Sequence, residues 1–200
     1  MAELKFKYGT MASGKSLHLL ATAHQLKING IKYQLLKSSI DTRDNGVISS
    51  RIGIKEPCIT ISHEESVCMN IDLSSSSGIK WLLVDEAQFL TPNQVDELAY
   101  IADNYDINII CYGLRTDYLT HLFEGSKRLF EIADSFEELP SYCECGNKNS
   151  VNTRITEDGA IDFNDGNQIE IEGNVTYKSI CRHCYTKELI KNLQVADEIQ

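Results

Sequence analysis

The 200-residue sequence has no apolar run approaching the roughly 18 residues that a membrane-spanning helix needs. It also lacks surplus positive charge: 29 acidic against 19 basic residues leave a formal net charge of -10. A broad surface for a nucleic-acid backbone needs clustered Lys and Arg, so none is expected. A small anionic ligand is still compatible with that balance, because one site needs only local positive charge. Met1 to Tyr8 has no secretory-signal pattern; polar and apolar residues alternate directly into a glycine loop. These absences predict a cytoplasmic chain with neither a membrane nor a nucleic acid as partner. In that compartment the seven cysteines read as metal ligands or buried thiols rather than disulfides. No internal repeat is evident.

What is present is an ordinary globular composition, 42% hydrophobic and 24% charged, and enough chain for one domain with a small appendage. Leu4 to Tyr8 alternates with period two and predicts a strand. Lys15 to Ile28 has no Gly or Pro and carries Leu17, Leu19, Leu20, Ala23 and Leu26. It predicts a mostly buried helix, capped by Asn29 and Gly30. Ile31 to Leu36 reads as a second strand. The polar stretch from Lys37 to Pro57 is too long for an ordinary connection and is taken as a mobile functional loop. Cys58 to Ser62 is a short strand candidate, and Ser74 to Gly78 a flexible connector. Ile79 to Val84 and Ile107 to Tyr112 are apolar throughout, as strands of a doubly covered parallel sheet are. Between them Thr91, Pro92 and Gln94 spell a helix start, and that helix is expected to end near Asn104. The alternation implies an α/β fold with a parallel sheet flanked by helices. From about Pro140 cysteines and short β-prone segments take over. The expected organisation is an α/β domain over 1–139, a small metal-built lobe over 140–190 and a tail over 191–200.

Gly9-Thr10-Met11-Ala12-Ser13-Gly14-Lys15-Ser16 matches G-x-x-x-x-G-K-[ST] in full, between a strand and a helix. Glycines let the backbone curl so that successive N–H groups face phosphates, and the helix N-terminus adds partial positive charge. Lys15 then reaches the β/γ-phosphates of ATP and the Ser16 hydroxyl ligates Mg²⁺. The fold implied is a P-loop, RecA-like one.

Trp81 to Glu86 runs an apolar strand into two acids, at the sheet edge where open α/β folds bind ligands. Asp85 suits a Mg²⁺ ligand, direct or through water. Glu86 leaves the strand end in another direction and suits a general base that takes a proton from a substrate hydroxyl. Adjacent acids can exchange these two tasks, so the division between them is an expectation.

Cys143-x-Cys145 and Cys181-x-x-Cys184, 35 residues apart, predict a tetrahedral zinc site of structural type. The first pair is one residue tighter than C-x-x-C, which keeps His183 open as a substitute ligand. Two pairs of unmetallated thiols are the alternative. Cys58, Cys68 and Cys111 read as core or incidental thiols.

Six ordered motifs now stand together. They are Gly9–Ser16, Asp41-Thr42-Arg43, Ser50-Arg51-Ile52-Gly53, Asp85-Glu86-Ala87-Gln88-Phe89, Tyr112-Gly113-Leu114-Arg115-Thr116-Asp117 and Tyr177-Lys178-Ser179-Ile180-Cys181-Arg182. In this the chain resembles the type II, cytosolic-type thymidine kinases, their bacterial branch in particular, over almost its whole length. The resemblance implies transfer of the γ-phosphoryl group of ATP to the 5′-hydroxyl of thymidine, giving dTMP for DNA precursor synthesis. It implies Glu86 as general base, Gln88 with the nucleotide-binding residues, Phe89 stacked on thymine and Leu114 lining that pocket. Tyr118 aligns with an aromatic near the sugar. A segment of about Glu170 to Tyr177, with Ile171, Glu172 and Gly173, closes over the nucleoside, and Tyr177 packs beside the base. Asp41 and Arg43 lie over the phosphates, where Arg43 offsets developing charge. A homotetramer and feedback by dTTP are also implied.

Phe89 and Leu114 also fit plain core roles, and Arg43 that of a solvated loop charge. Where the family usually has Gly-Gly in the closing segment this chain has Glu172-Gly173, and Glu170 replaces an apolar residue. Those carboxylates bear on loop conformation, affinity and feedback. The competing functions are a kinase for another deoxynucleoside and a P-loop ATPase with a zinc ribbon. Acidity and the lack of a basic, aromatic-laced stripe oppose the ATPase.

Overall fold

β1 (Leu4–Gly9) buries Phe6 fully and delivers the chain to the phosphate loop. The computed structural model describes residues 1–40, 46–164 and 176–198. α1 (Lys15–Ile28) follows, burying Leu19, Leu20, Ala23 and Leu26 on one side of the sheet. It ends in a Schellman closure: Gly30 N–H donates to Lys27 C=O and Ile31 N–H to Leu26 C=O. That closure uses Ile31, so the second strand starts two residues later than expected. β2 runs Tyr33–Ser38 and continues into Lys37 and Ser38, both buried.

The expected loop over 37–57 is not uniform. It contains a hairpin, β3 (Val47–Ser49) against β4 (Lys55–Pro57), whose turn is the Ser50–Gly53 motif. Three-residue strands without alternation leave little periodic signal. β5 (Ile59–Ile61), a short α2 (Val67–Asn70) and β6 (Trp81–Asp85) follow. After a 3-10 turn at Ala87–Phe89 comes α3 (Pro92–Tyr105). Its capping box is formed: Gln94 N–H donates to the Thr91 hydroxyl and Thr91 N–H to the Gln94 side chain. β7 (Asn108–Leu114), α4 (Glu124–Ile132) and the edge strand β8 (Ser135–Glu138) complete this part.

Among the described residues the main sheet has six strands in the order β5-β2-β6-β7-β1-β8, and every neighbouring pair is parallel. Leu82 and Val84 face α3 and α4; Leu83 faces α1. Apolar packing on both faces explains why β6 and β7 read as continuous hydrophobic runs. Phosphate loop, β6 end and β7 end all emerge at the C-terminal edge, where Gly9 pairs with Leu114.

The C-terminal part is a separate small sheet, β9 (Val151–Ile155) between β10 (Ile161–Asp162) and β11 (Thr176–Ile180). It has its own cluster of Val151, Ile180, Cys143 and Cys181. α5 (Arg182–Glu198) crosses residue 191, so the expected polar tail continues as helix. No helix among the described residues is long and apolar enough to cross a membrane.

Candidate active site

Gly9 closes β1 where no side chain fits: a Cβ there would lie 2.4 Å from Ser13 Oγ and 2.6 Å from the Leu139 carbonyl oxygen. Two residues of the loop take left-handed backbone, Ala12 at φ 61° and Gly14 at φ 81°. Gly14 adopts it freely, whereas an L-residue such as Ala12 is held there at a cost of roughly 1–2 kcal/mol. Such a curl turns successive N–H groups inward. The Lys15 ammonium donates to the Thr10 carbonyl at 2.8 Å, so the lysine lies over its own loop.

Asp85 ends β6 one strand from β7 and accepts a hydrogen bond from the Ser16 hydroxyl. Its Oδ1 is buried without a hydrogen-bond partner among the described residues. Burial, and then the neighbouring Glu86 carboxylate, push the Asp85 carboxyl well above the usual range, against Ser16 and Lys15, which pull it down. A buried, orphaned carboxylate oxygen beside a serine hydroxyl is the donor set a hard divalent cation takes. The residues therefore fit Mg²⁺. Lys37, expected at the start of the polar loop, is instead buried opposite Asp85 on β2. Its signal was the continuation of the second strand past Leu36.

Glu86 sits at φ 50°, ψ 39°, a left-handed position for a non-glycine residue, immediately before the 3-10 turn. Such outliers cost energy and gather at functional sites. The turn sets its carboxylate against Gln88, whose amide donates to Glu86 Oε2 at 2.6 Å. The other end of the Gln88 amide accepts from Leu114 N–H at 2.9 Å. Gln88 is thus a buried bridge from Glu86 to the end of β7. Gly113 makes room for it, because a Cβ there would stand 2.9 Å from Gln88 Oε1.

Phe89 is half-buried and packs edge-on against Phe123 with centroids 5.7 Å apart. Leu114 is buried at the end of β7. Tyr118 is buried too, with the Arg154 guanidinium 4.2 Å from its ring centroid and its hydroxyl donating to Asn164 C=O. Tyr177 lies on β11 directly across from Arg154, so the tyrosine and the arginine that covers Tyr118 are cross-strand neighbours. Arg154 carried no sequence motif; its partners lie 36 residues before and 23 residues after it. Asp41, Arg43, Ile171, Glu172 and Gly173, with Glu170, lie outside the described residues.

The four expected cysteines converge. The sulfurs of Cys143, Cys145, Cys181 and Cys184 all lie within 4.8 Å of one another. Tetrahedral zinc with Zn–S near 2.3 Å needs sulfurs roughly 3.8 Å apart, so the cluster fits such an ion. His183 is exposed and outside the group. The tight first pair still reaches because a turn closes it, with Gly146 N–H donating to Cys143 C=O and Cys143 N–H to Asn147 C=O. The Asn147 backbone N–H and then the neighbouring thiols pull the Cys145 thiol down, toward the thiolate that metals bind.

Comparison with known proteins identifies the family. The sequence pattern of the family described as thymidine kinase matches residues 2–185. The thymidine kinase of Zymomonas mobilis is 42% identical over 194 residues, 94% of this chain and 98% of that one. That of Enterobacteria phage T4 is 43% identical over 195 residues, 96% of this chain and all of the phage protein. The thymidine kinase of Rhodopirellula baltica is 39% identical over 185 residues, 91% and 87% of the two chains. Among solved structures, Pif1 helicase from Candida albicans overlaps 69% of this chain and 36% of its own at a TM-score of 0.41 and 14% identity, too loose to bear on function. With a family pattern spanning nearly its full length, the chain belongs to the thymidine kinase family.

Proposed function

We propose that the chain transfers the γ-phosphoryl group of ATP to the 5′-hydroxyl of thymidine. The observation that carries this reading is Glu86, held by Gln88 beside a phosphate loop whose Ser16 meets Asp85. In this reading the loop N–H groups and the positive end of α1 hold the phosphates. Lys15 leaves the Thr10 carbonyl for the β/γ oxygens. Ser16 and Asp85 hold Mg²⁺, which when bound neutralises charge on the transferring group.

Glu86 takes the proton from the nucleoside 5′-hydroxyl as that oxygen attacks phosphorus. The bridge from Gln88 keeps the carboxylate in one rotamer, so little reorientation precedes the proton transfer. Phe89 offers the aromatic face for the base, Leu114 an apolar wall, and Tyr118 and Tyr177 the far side of the pocket. The family resemblance adds Ile171, Glu172 and Gly173 to the nucleoside-binding residues, and Asp41 and Arg43 to the phosphate-binding ones. Zinc at the four cysteines is structural, because four protein ligands leave no open position.

Glu86→Gln keeps shape and removes the base. It is expected to lower kcat by roughly 10²–10⁴-fold while the affinity for MgATP stays within about twofold. Steady-state kinetics beside nucleotide titration check this, and turnover near that of the wild type removes Glu86 from the role.

A further inference from the structure

Met11 stands at the crest of the phosphate loop, and both of its backbone polar groups are taken by the cysteine-bearing lobe. Its N–H donates to Asn152 Oδ1 at 2.8 Å, and its carbonyl accepts from the Ser179 hydroxyl at 2.9 Å. Asn152 is 3% exposed on β9, and Ser179 faces it across the β9–β11 pairing. The two side chains touch: Ser179 Oγ lies 3.2 Å from Asn152 Oδ1. The Asn152 amide nitrogen donates to Thr116 C=O at 3.0 Å, just past the end of β7. A neighbouring contact joins the Thr10 and Ser141 hydroxyls at 2.8 Å.

One buried amide therefore ties the loop crest to the lobe and to the segment after β7. Its location has a physical consequence. Ala12, next in sequence, is held at φ 61°. An unpinned Met11 peptide lets that strained residue relax toward ordinary backbone, and the inward-facing N–H groups then lose their common aim. The phosphate motif itself contains no residue that fixes Met11. Nothing in residues 9–16 replaces these two bonds.

We propose that Asn152, aided by Ser179, is a positioning residue that fixes the crest of the phosphate loop for the donor nucleotide. The proposal rests on the kinase reading above only in naming that nucleotide as ATP.

The test uses the full chain with zinc bound, as wild type, Asn152→Ala, Ser179→Ala and Ser179→Thr. Each is measured for kcat, KM for MgATP, KM for thymidine and zinc content. Loss of the Met11 hydrogen bond and of the amide's tie to Thr116 predicts that Asn152→Ala raises KM for MgATP about tenfold. Zinc content and KM for thymidine stay within about twofold of wild type, a split that general loosening of the lobe does not give. Ser179→Ala shifts KM for MgATP the same way by about threefold, and Ser179→Thr, which keeps the hydroxyl, restores it. An unchanged KM for MgATP in Asn152→Ala overturns the proposal, as do equal rises in both KM values. If Asn152→Ala loses zinc, the Ser179 pair decides: no rise in Ser179→Ala, or no recovery in Ser179→Thr, overturns it. Should the wild type phosphorylate no thymidine, the functional reading fails by itself, and direct titration of each variant with MgATP still tests the brace.

Discussion

Asp85 carries a tension that its surroundings explain. Its carboxyl is buried beside Glu86, and its Oδ1 has no partner among the described residues. Its pKa is raised in the folded state, so the sign of its effect on stability is fixed. The contribution is present below the unfolded pKa and is lost as pH rises through the folded value. Asp85→Asn removes the titration while keeping the shape. Without Mg²⁺ and nucleotide, the melting temperature of Asp85→Asn relative to wild type is expected to rise from about pH 4 to about pH 7, and turnover is expected to be lost. A difference that is flat or falls with pH contradicts the burial argument.

At this scale the sequence is informative wherever chemistry is packed into a short motif. Gly9 to Ser16 and Asp85-Glu86 are contiguous, and the structure brings them to one sheet edge. Asn152, Lys37 and Arg154 left no such mark. Asn152 meets Met11 from 141 residues away, and a lone asparagine in a β-prone stretch has no periodicity to betray it.

Among elements, the most legible are those with two agreeing signals. β6 and β7 are apolar on both faces because helices cover both, and α3 announces its start chemically. Thr91→Ala breaks the formed capping box of α3 and should cost about 1 kcal/mol, a fall of roughly 2–4 °C in melting temperature. Calorimetry checks it; no shift means that the cap contributes nothing to α3. Less legible were β8 and the β3–β4 hairpin, which are short and largely polar or exposed. β8 needs little sequence signal because β1 supplies its hydrogen bonds, and Lys7 pairs with Glu137 across that edge. α5 also escaped, since its exposed Ile190 and Leu193 make no buried stripe among the described residues.

Across the whole molecule, a parallel sheet carries the phosphate loop and the acids, and a small cysteine-held sheet stands against them. The lobe begins right after Leu139, whose N–H donates to Tyr8 C=O beside Gly9. Its strands return to grip Met11 and Thr116. Loss of the metal should therefore reach the phosphate loop as well as the lobe. Chelation of zinc is expected to lower the melting temperature and to raise KM for MgATP in enzyme that stays folded. Metal analysis beside kinetics reads this. Zinc far below one per chain in active protein contradicts a structural zinc site.

The central claim concerns the acceptor, and one coupled assay addresses it. Purified chain is supplied with MgATP and, separately, thymidine, deoxyuridine and deoxycytidine. The account predicts that thymidine is phosphorylated with the highest kcat/KM and that deoxycytidine is a poor acceptor. No turnover with thymidine, or a clear preference for deoxycytidine, would contradict it.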